Sequence, residues 1–183
     1  MNEKDKNRLL EIVREKILLG EFTLTSGKTT FYYFDGRLVT LSAEGAYLVG
    51  EILFDLIADL SIDAIGGPTL GADPIVAAVI MTSFQRGSPF QGFIVRGEIK
   101  DHGTQKQIEG HLQAGWRVVI VDDVITTGGS IRRAIDAVEA NGCQVVKVVT
   151  LLDRLQGGSE ELQRRGYDFT AIFKADTLGN ISY

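Results

Sequence analysis

The spacing of apolar residues changes twice in the first third of the chain. Over residues 4–19, apolar side chains recur at helical spacing among charged ones and stop before Gly20, which predicts an amphipathic helix. Residues 22–34 are rich in Thr, Tyr and Phe around a central Ser-Gly pair, which predicts a β-ribbon of two extended pieces. Helical spacing returns from about residue 42 and continues to residue 60, so the pattern predicts a second long helix.

From residue 61 onward, short apolar runs alternate with helical segments. The predicted strands are residues 63–66, 93–96, 117–122, 145–151 and 169–173, and the predicted helices are residues 72–84, 130–140 and 159–165. This alternation is typical of parallel βαβ units. We therefore predict an α/β fold with a mainly parallel, five-stranded twisted sheet flanked by helices. In such a fold, small ligands bind at the carboxyl ends of the strands.

Two stretches between these elements have the composition of loops. Residues 66–71, GGPTLG, place three glycines and a proline at a turn from strand to helix. Residues 97–110 are polar, carry Lys100, His102 and Lys106, and exceed the ~4 to 6 residues of a usual connection. Loops of that length often act as lids over a binding site.

Composition and charge narrow the class of protein. With 183 residues, 44% of them hydrophobic, and a mean hydropathy of +0.07, the chain is expected to fold as one globular domain. Its net charge of −5 and isoelectric point near 5.1 oppose sequence-independent binding to nucleic acid, which needs a basic surface. The charged N-terminus and the lack of an apolar run of ~20 residues predict neither secretion nor membrane insertion, so we expect a cytoplasmic protein.

The few cysteine and histidine residues limit metal chemistry. Cys143 has no second cysteine to pair with, and only His102 and His111 accompany it, so a structural zinc site is not expected. Cys143 falls at a predicted helix-to-strand junction. We expect it to be buried rather than reactive.

Candidate chemistry concentrates in residues 118–130, VVIVDDVITTGGS. An apolar run predicts a buried strand that ends at Asp122 and Asp123, and residues 126–130 turn into the next helix. Hydroxyls and unobstructed backbone N–H groups at a helix start, together with the helix dipole, form a cradle for a phosphate. The adjacent carboxylates would repel that phosphate, so their partner is a hydrogen-bond donor, such as the two hydroxyls of a ribose, or a Mg²⁺ ion. The combination favours a sugar phosphate as ligand.

Two other interpretations of this segment stay open from the residues alone. The acids could cap or solvate the end of a strand, as in other doubly wound proteins. They could also form the acidic pocket of a receiver domain, although TTGGS directly after them suits an anion better than a phosphorylated aspartate.

The same segment resembles the phosphoribosyl pyrophosphate (PRPP) motif of type I phosphoribosyltransferases. Further segments resemble those of the orotate phosphoribosyltransferase family in the same order along the chain: FTLTSGKTTFYYFDGR at 22–37, GGPTLGADPI at 66–75, VRGEIKDHG at 95–103 and LLDR at 151–154. The resemblance implies the type I phosphoribosyltransferase fold over a single domain of residues 1–183. About residues 1–40 would form a small N-terminal α+β hood with parts of the C-terminal region.

The resemblance also implies an activity. Family members transfer ribose 5-phosphate from PRPP to orotate, giving orotidine 5′-monophosphate and diphosphate in de novo pyrimidine (UMP) biosynthesis. They use Mg²⁺, which is held mainly through PRPP and not directly by protein ligands. They work as homodimers, often with a loop of one subunit closing over the site of the other. Neither nucleic acid nor a membrane is an implied partner.

Site residues follow from the resemblance position by position. The implied catalytic residues are Lys100, His102, Asp122 and Asp123. The implied PRPP-binding residues are Arg96, Lys100, His102, Asp122, Asp123, Val124, Ile125, Thr126, Thr127, Gly128, Gly129 and Ser130. The implied orotate-binding residues are Thr126 and Arg154, and the Arg154 guanidinium would pair with the orotate carboxylate. Aromatic residues 31–34 would cover the base from the hood.

Simpler roles are also open for these groups. The 97–110 loop could be an ordinary solvated surface loop, and Asp153 and Arg154 could form a surface ion pair. The aromatic residues 31–34 could equally belong to the core.

Two positions depart from the family pattern. Gly97 stands where the family commonly has a lysine, and Thr25 stands where some members have a lysine before Ser-Gly. The site therefore loses a positive charge for the diphosphate, and we expect slow orotate transfer unless Lys28, Lys100 and Lys106 compensate. The alternatives are a phosphoribosyltransferase for another base and a non-catalytic nucleotide- or PRPP-binding regulator with a decayed loop.

Overall fold

The computed structural model describes residues 2–23, 29–97 and 107–183. Its helices are α1 (Glu3–Glu15), α2 (Arg37–Thr40), α3 (Ala43–Ile57), α4 (Ala72–Gln85), α5 (Gly129–Ala140) and α6 (Gly158–Arg164), with a 3-10 turn at Ala58–Leu60. Its strands are β1 (Leu18–Thr23), β2 (Thr29–Tyr33), β3 (Ala64–Pro68), β4 (Gln91–Val95), β5 (Ile108–Gly110), β6 (Arg117–Ile125), β7 (Gln144–Asp153), β8 (Phe169–Ala175) and β9 (Ile181–Ser182). Within these ranges, no helix is both long and apolar enough to cross a membrane.

The N-terminal helix is present but shorter than the apolar pattern predicts. The N–H groups of Lys16 and Ile17 bond to carbonyls three residues back, which tightens and ends the last turn of α1. Leu18 and Leu19, predicted as helical, instead begin β1 and pair with two tyrosines of β2 in an antiparallel hairpin. The predicted β-ribbon is therefore confirmed, but it begins before residue 22.

The five predicted strands form the parallel centre of the main sheet. The sheet order is β5-β4-β3-β6-β7-β8-β9, in which β4, β3, β6, β7 and β8 run parallel. Strands β5 and β9 add short antiparallel edges, so the sheet of the described residues has seven strands where five are predicted. The predicted 97–110 loop therefore ends in a strand. Sequence reasoning misses both edges because two or three residues are too few to show an alternating pattern.

Strand β6 is buried on both faces of the sheet. Val119 and Val121 pack into the apolar cluster that includes residues of α1, α3 and α4, whereas Val118 and Ile120 pack into the cluster beneath α5. A strand covered on both faces has a continuous apolar sequence, as parallel strands commonly do. The two acids that follow this run therefore lie at the carboxyl edge of the sheet.

Cys143 is buried in the cluster beneath α5, as expected. Its Sγ donates to the Gln113 carbonyl at 3.1 Å, and burial raises the pKa of the thiol. A thiol with a raised pKa holds little thiolate and is a poor nucleophile. The role of this residue is packing.

Candidate active site

Two adjacent carboxylates occupy the carboxyl end of β6. Asp122 is only 5% exposed and accepts hydrogen bonds from the Ser130 hydroxyl at 3.1 Å and from the Asp123 N–H at 3.0 Å. Asp123 is more exposed and lines a cavity at the edge of the sheet. One acid is thus tied to the start of α5, and the other faces the cavity.

Burial changes the protonation of both acids. Loss of solvation, reinforced by the charge of Asp123, raises the pKa of Asp122 well above its ordinary value. Loss of solvation also raises the pKa of Asp123, although the Val124 N–H acts in the opposite direction. A ligand that donates hydrogen bonds to these carboxylates, or brings a cation to them, relieves the cost of keeping both charges out of water.

Asp122→Asn is expected to stabilise the ligand-free protein. Because burial raises the pKa of Asp122 in the folded state, the folded chain binds more protons than the unfolded chain between the two pKa values. Stability therefore falls as pH rises through that interval, and the penalty is complete above the folded pKa. Asparagine keeps the shape without the charge. It should raise the melting temperature by about 2 to 4 °C, the shift that about 1 kcal/mol gives in a chain of this size.

Thermal unfolding followed by circular dichroism at about pH 8 and about pH 4.5 measures this gain, which should shrink at the lower pH. The matched control is Asp136→Asn on the exposed face of α5, which should show no pH-dependent gain. A melting temperature of Asp122→Asn at or below that of the wild type at the higher pH would contradict the buried-charge account.

Two glycine turns close in on the acid pair. A Cβ atom on Gly71, in the GGPTLG turn, would lie 2.3 Å from Asp122 Oδ1 and 2.4 Å from Asp123 Oδ1. A Cβ atom on Gly36, just after β2, would lie 2.8 Å from Asp123 Oδ2. Bare backbone from both turns therefore runs directly against the carboxylates. The composition of GGPTLG predicts a turn from strand to helix, but nothing in the sequence pattern predicts the approach of either turn to the acid pair.

The cavity beside Asp123 has a volume of about 370 Å³ and carries both signs of charge. Its lining comes from the end of the hairpin, the GGPTLG turn and the end of β6: Tyr33, Phe34, Asp35, Gly36, Arg37, Thr69, Leu70, Gly71, Asp123 and Val124. Arg37 donates from Nε and Nη2 to the two carboxylate oxygens of Asp35, at 2.8 and 2.9 Å. Sequence reasoning misses Arg37 and Asp35, because only the tertiary fold brings the hairpin to the acid pair.

The turn between β6 and α5 has the geometry expected of an anion cradle. Gly128 adopts a left-handed φ of 75°, and α5 begins at the next residue, so backbone N–H groups at the helix start are free of helical partners. The turn is supported from α6, since the Gly158 N–H donates to the Thr126 carbonyl at 2.9 Å. Side chains of two neighbouring residues, Val124 and Ile125, pack toward the apolar clusters. Ile125 is 1% exposed, whereas Val124 is partly buried and also lines the cavity beside Asp123.

Arg154 lies in the interior and not in a surface ion pair. It is 7% exposed, and it donates from Nε to the Tyr32 hydroxyl at 2.9 Å and from Nη2 to the Thr30 hydroxyl at 3.0 Å. The guanidinium carbon also lies 4.4 Å from the centre of the Tyr32 ring. Asp153 is buried as well, and its Oδ1 accepts from the Leu155 N–H at 2.8 Å. The ion-pair alternative is therefore wrong for this arginine.

A second cavity, of about 490 Å³, opens beside Arg154. It is lined by the hairpin, the cradle turn and the C-terminal region: Thr29, Thr30, Phe31, Tyr32, Thr127, Arg154, Leu155, Gln156, Asp176 and Thr177. Phe31 is 59% exposed there, whereas Tyr32 and Phe34 belong to the core. Of these three aromatic residues, all predicted to cover the base, two therefore pack in the interior. Thr127 lines this cavity, and contact of Thr126 with a base stays a prediction.

The predicted cationic loop is described only at its ends. Arg96 follows β4 and donates from Nη1 to Glu109 Oε1 at 3.0 Å. Gly97 is exposed, and no atom of the described residues lies within 4 Å of the position a Cβ would take. Lys100 and His102 lie outside the described residues, as do Thr25, Lys28 and Lys106.

Comparison with protein families places most of the chain in a known family. A model of the phosphoribosyl transferase domain matches residues 41–170. The orotate phosphoribosyltransferase of Streptomyces coelicolor is 42% identical over 176 residues, which cover 95% of this chain and 97% of that protein. The orotate phosphoribosyltransferase of Aquifex aeolicus is 39% identical over 173 residues, covering 94% of this chain and 92% of that protein.

Solved structures resemble the chain over nearly its whole length. Orotate phosphoribosyltransferase of Mycobacterium tuberculosis in complex with Fe(III) dicitrate superposes with a TM-score of 0.82 and 37% identity, covering 93% of this chain and 96% of that one. The same enzyme in complex with PRPP gives a TM-score of 0.78 and 32% identity, covering 95% and 91% of the two chains.

Proposed function

This chain belongs to the orotate phosphoribosyltransferases of the phosphoribosyl transferase family, and we propose that the corner at the carboxyl end of β6 is its active site. The reaction is transfer of ribose 5-phosphate from PRPP to orotate, which gives orotidine 5′-monophosphate and diphosphate in pyrimidine biosynthesis. The observation that carries the site proposal is the acid pair of buried Asp122 and cavity-facing Asp123, at the end of the strand that leads into the cradle turn. One feature suits a sugar diol and the other a terminal phosphate.

The ribose is proposed to bind across both features. The carboxylates of Asp122 and Asp123 accept hydrogen bonds from its two ring hydroxyls. These hydrogen bonds stabilise the charged carboxylates, whose pKa values burial raises. The backbone N–H groups and hydroxyls of residues 126–130 hold the 5′-phosphate at the start of α5. The reaction passes through a ribosyl-cation-like state and needs no protein nucleophile. The work of the site is alignment and stabilisation of departing negative charge.

Orotate is proposed to bind in the cavity beside Arg154. Orotate differs from a neutral pyrimidine by its carboxylate, and among the described residues that line this cavity Arg154 carries the positive charge. Thr127 lines this cavity and, like Thr126, belongs to the cradle turn, so the proposed base and ribose phosphate sites are adjacent. The hairpin then covers the base.

Mg²⁺ is the proposed cofactor, carried mainly by PRPP. The donor chemistry of the site fits, because Asp35 and Asp123 present carboxylate oxygens to the cavity beside β6, and Mg²⁺ prefers oxygen ligands and retained water. When bound, the ion neutralises charge on the departing diphosphate. Among the described residues, no cluster of three or more Asp, Glu, His or Cys side chains could hold a metal ion by itself.

The cationic loop and the subunit arrangement belong to the same proposal. Arg96, Lys100 and His102 would bring positive charge to the diphosphate, with the loop supplied across a homodimer in the cytoplasm. The position of Arg96 directly after β4, at the carboxyl side of the sheet, supports this role. Arg96 is paired with Glu109, so a bound diphosphate would take the place of the Glu109 carboxylate as its anionic partner.

Gly97→Lys is expected to raise activity. The position is exposed and has no described atom within 4 Å of a Cβ, so a lysine there restores the cation that the family pattern commonly has beside Arg96. We expect kcat/KM for PRPP to rise about 3- to 10-fold, the range that one solvent-screened charge contact of about 1 kcal/mol provides. Steady-state kinetics measures it, with Gly97→Gln as the neutral control. No gain over glutamine would mean that the missing cation is irrelevant to turnover.

A spectrophotometric assay of orotate consumption in the presence of PRPP and Mg²⁺ tests the proposed function. Continuous loss of the orotate absorbance, dependent on PRPP, is the expected result. Turnover of another base with none of orotate would favour the first alternative function. PRPP binding without turnover of any base would favour the non-catalytic regulator.

A further inference from the structure

The partners of Arg154 are both neutral. Its Nε and Nη2 atoms donate to the hydroxyls of Tyr32 and Thr30, and these are its hydrogen-bond partners within the described chain. The Thr30 hydroxyl donates its own proton to the Tyr32 carbonyl at 3.2 Å, so its lone pairs stay available to accept from the arginine. All three side chains are buried, at 8% exposure or less. The guanidinium is held on two sides, and no anion among the described residues is hydrogen-bonded to it.

Asp176, the acidic residue in the lining of the same cavity, has hydrogen-bond donors of its own. Asp176 accepts hydrogen bonds from the backbone N–H groups of Leu178 and Asn180 and from the Asn180 side-chain amide, at 2.8 to 2.9 Å. The Asn180 hydrogen bonds lower the pKa of Asp176 and keep its carboxylate at the C-terminal turn. Its charge is therefore satisfied by N–H donors and does not neutralise Arg154.

Neutral hydrogen-bond acceptors have an advantage over a carboxylate as partners of a buried arginine that binds an anionic ligand. A buried arginine paired with a protein carboxylate would be well fixed, but an incoming carboxylate would have to displace that partner. Hydroxyl acceptors and an aromatic face fix the same guanidinium and leave its full charge for the ligand. Unused N–H donors of the fork then remain for a bidentate contact with a planar carboxylate.

We propose that Thr30 and Tyr32 are positioning residues that hold Arg154 in place by neutral contacts, so that its charge is reserved for the carboxylate of the pyrimidine. The inference rests on the proposed function and deepens it, because it assigns carboxylate selectivity to the hood and not to the arginine alone. The alternation of side chains along β2 places Thr30 and Tyr32 on the same buried face, where both contact Arg154.

The test compares two variants of the same shape and different charge, Thr30→Asp and Thr30→Asn. Isothermal titration calorimetry measures the affinity of each for orotidine 5′-monophosphate and for uridine 5′-monophosphate, which lacks the carboxylate. In Thr30→Asp, we expect the preference for the orotidine nucleotide to fall about 30-fold or more, since the new carboxylate pairs with Arg154. In Thr30→Asn, the preference should stay within about 3-fold of the wild type. The affinity for the uridine nucleotide is measured in both variants as the reference for this preference, because Thr30 lines the cavity proposed for the base.

A second variant keeps the proposal testable if the buried aspartate prevents folding. Tyr32→Phe removes one acceptor and should lower the same preference about 3- to 10-fold, the effect of losing one typical hydrogen bond. Its matched control is Tyr167→Phe, which removes a tyrosine hydrogen bond to Glu139, a residue of α5 that lines neither cavity, and should change nothing.

The outcomes separate this inference from the function it rests on. A wild-type protein without preference for the orotidine nucleotide would overturn both. A clear wild-type preference that is equal in Thr30→Asp and Thr30→Asn, and unchanged in Tyr32→Phe, would overturn the positioning role and leave the proposed function standing.

Discussion

Asp123→Asn is expected to lower kcat/KM for PRPP by at least about 100-fold, since loss of charge-assisted hydrogen bonds to a diol removes about 3 kcal/mol. Asp123 lines the cavity and is pressed by two glycine turns, so the carboxylate has a fixed place from which to accept ribose hydroxyls. Asparagine has nearly the same shape, but it offers one acceptor oxygen and no charge. The effect should therefore appear without loss of fold.

Steady-state kinetics with varied PRPP measures this loss, and circular dichroism verifies the fold. Asp136→Asn, an exposed aspartate of α5, is the control and should retain wild-type kinetics. If kcat/KM of Asp123→Asn stayed within about 3-fold of the wild type, a difference below about 1 kcal/mol, the assignment of the ribose to this carboxylate would be wrong.

Arg154→Met is expected to raise the KM for orotate about 100-fold while the KM for PRPP changes little. The reason is that the variant removes a charged, bidentate partner of the substrate carboxylate, worth about 3 kcal/mol when desolvated. Methionine fills most of the same buried volume, which limits collapse of the cavity. The two hydroxyls that accept from Arg154 would lose their donor, so a lower melting temperature should accompany the kinetic effect.

Arg154→Lys separates the charge from the shape of the guanidinium. A lysine keeps the positive charge but cannot donate in a planar fork to both hydroxyls and a carboxylate. We expect an increase in the orotate KM of about 10-fold, between wild type and methionine. Equal increases in the KM values for orotate and PRPP in either variant would indicate general disruption and contradict a carboxylate-specific role.

The parts of the site that could be predicted are local in sequence. The buried run of β6, the acids that end it and the turn into α5 follow one another within thirteen residues, so periodicity and composition reveal them together. The GGPTLG turn is predicted for the same reason. The bounds of the elements are less well predicted, as with Leu18 and Leu19. Hairpin pairing competes with helix formation there, and the spacing of apolar residues does not indicate which of the two forms.

The parts that could not be predicted depend on distant residues. Arg154 is separated from Tyr32 and Thr30 by 122 and 124 positions, and only the fold brings the hairpin over the end of β7. The family resemblance supplies a role for Arg154, but neither it nor the residues indicate that its partners are neutral. The approach of Gly36 to Asp123 is hidden for the same reason, since no local pattern identifies what a turn will pack against.

The most direct test of the account is a crystal structure of the protein with bound ribose 5-phosphate. The account predicts the two ring hydroxyls within hydrogen-bond distance of the carboxylates of Asp122 and Asp123. It also predicts the phosphate on the backbone N–H groups of residues 126–130. A sugar phosphate bound with its phosphate elsewhere, or a corner closed by side chains under saturating ligand, would contradict it.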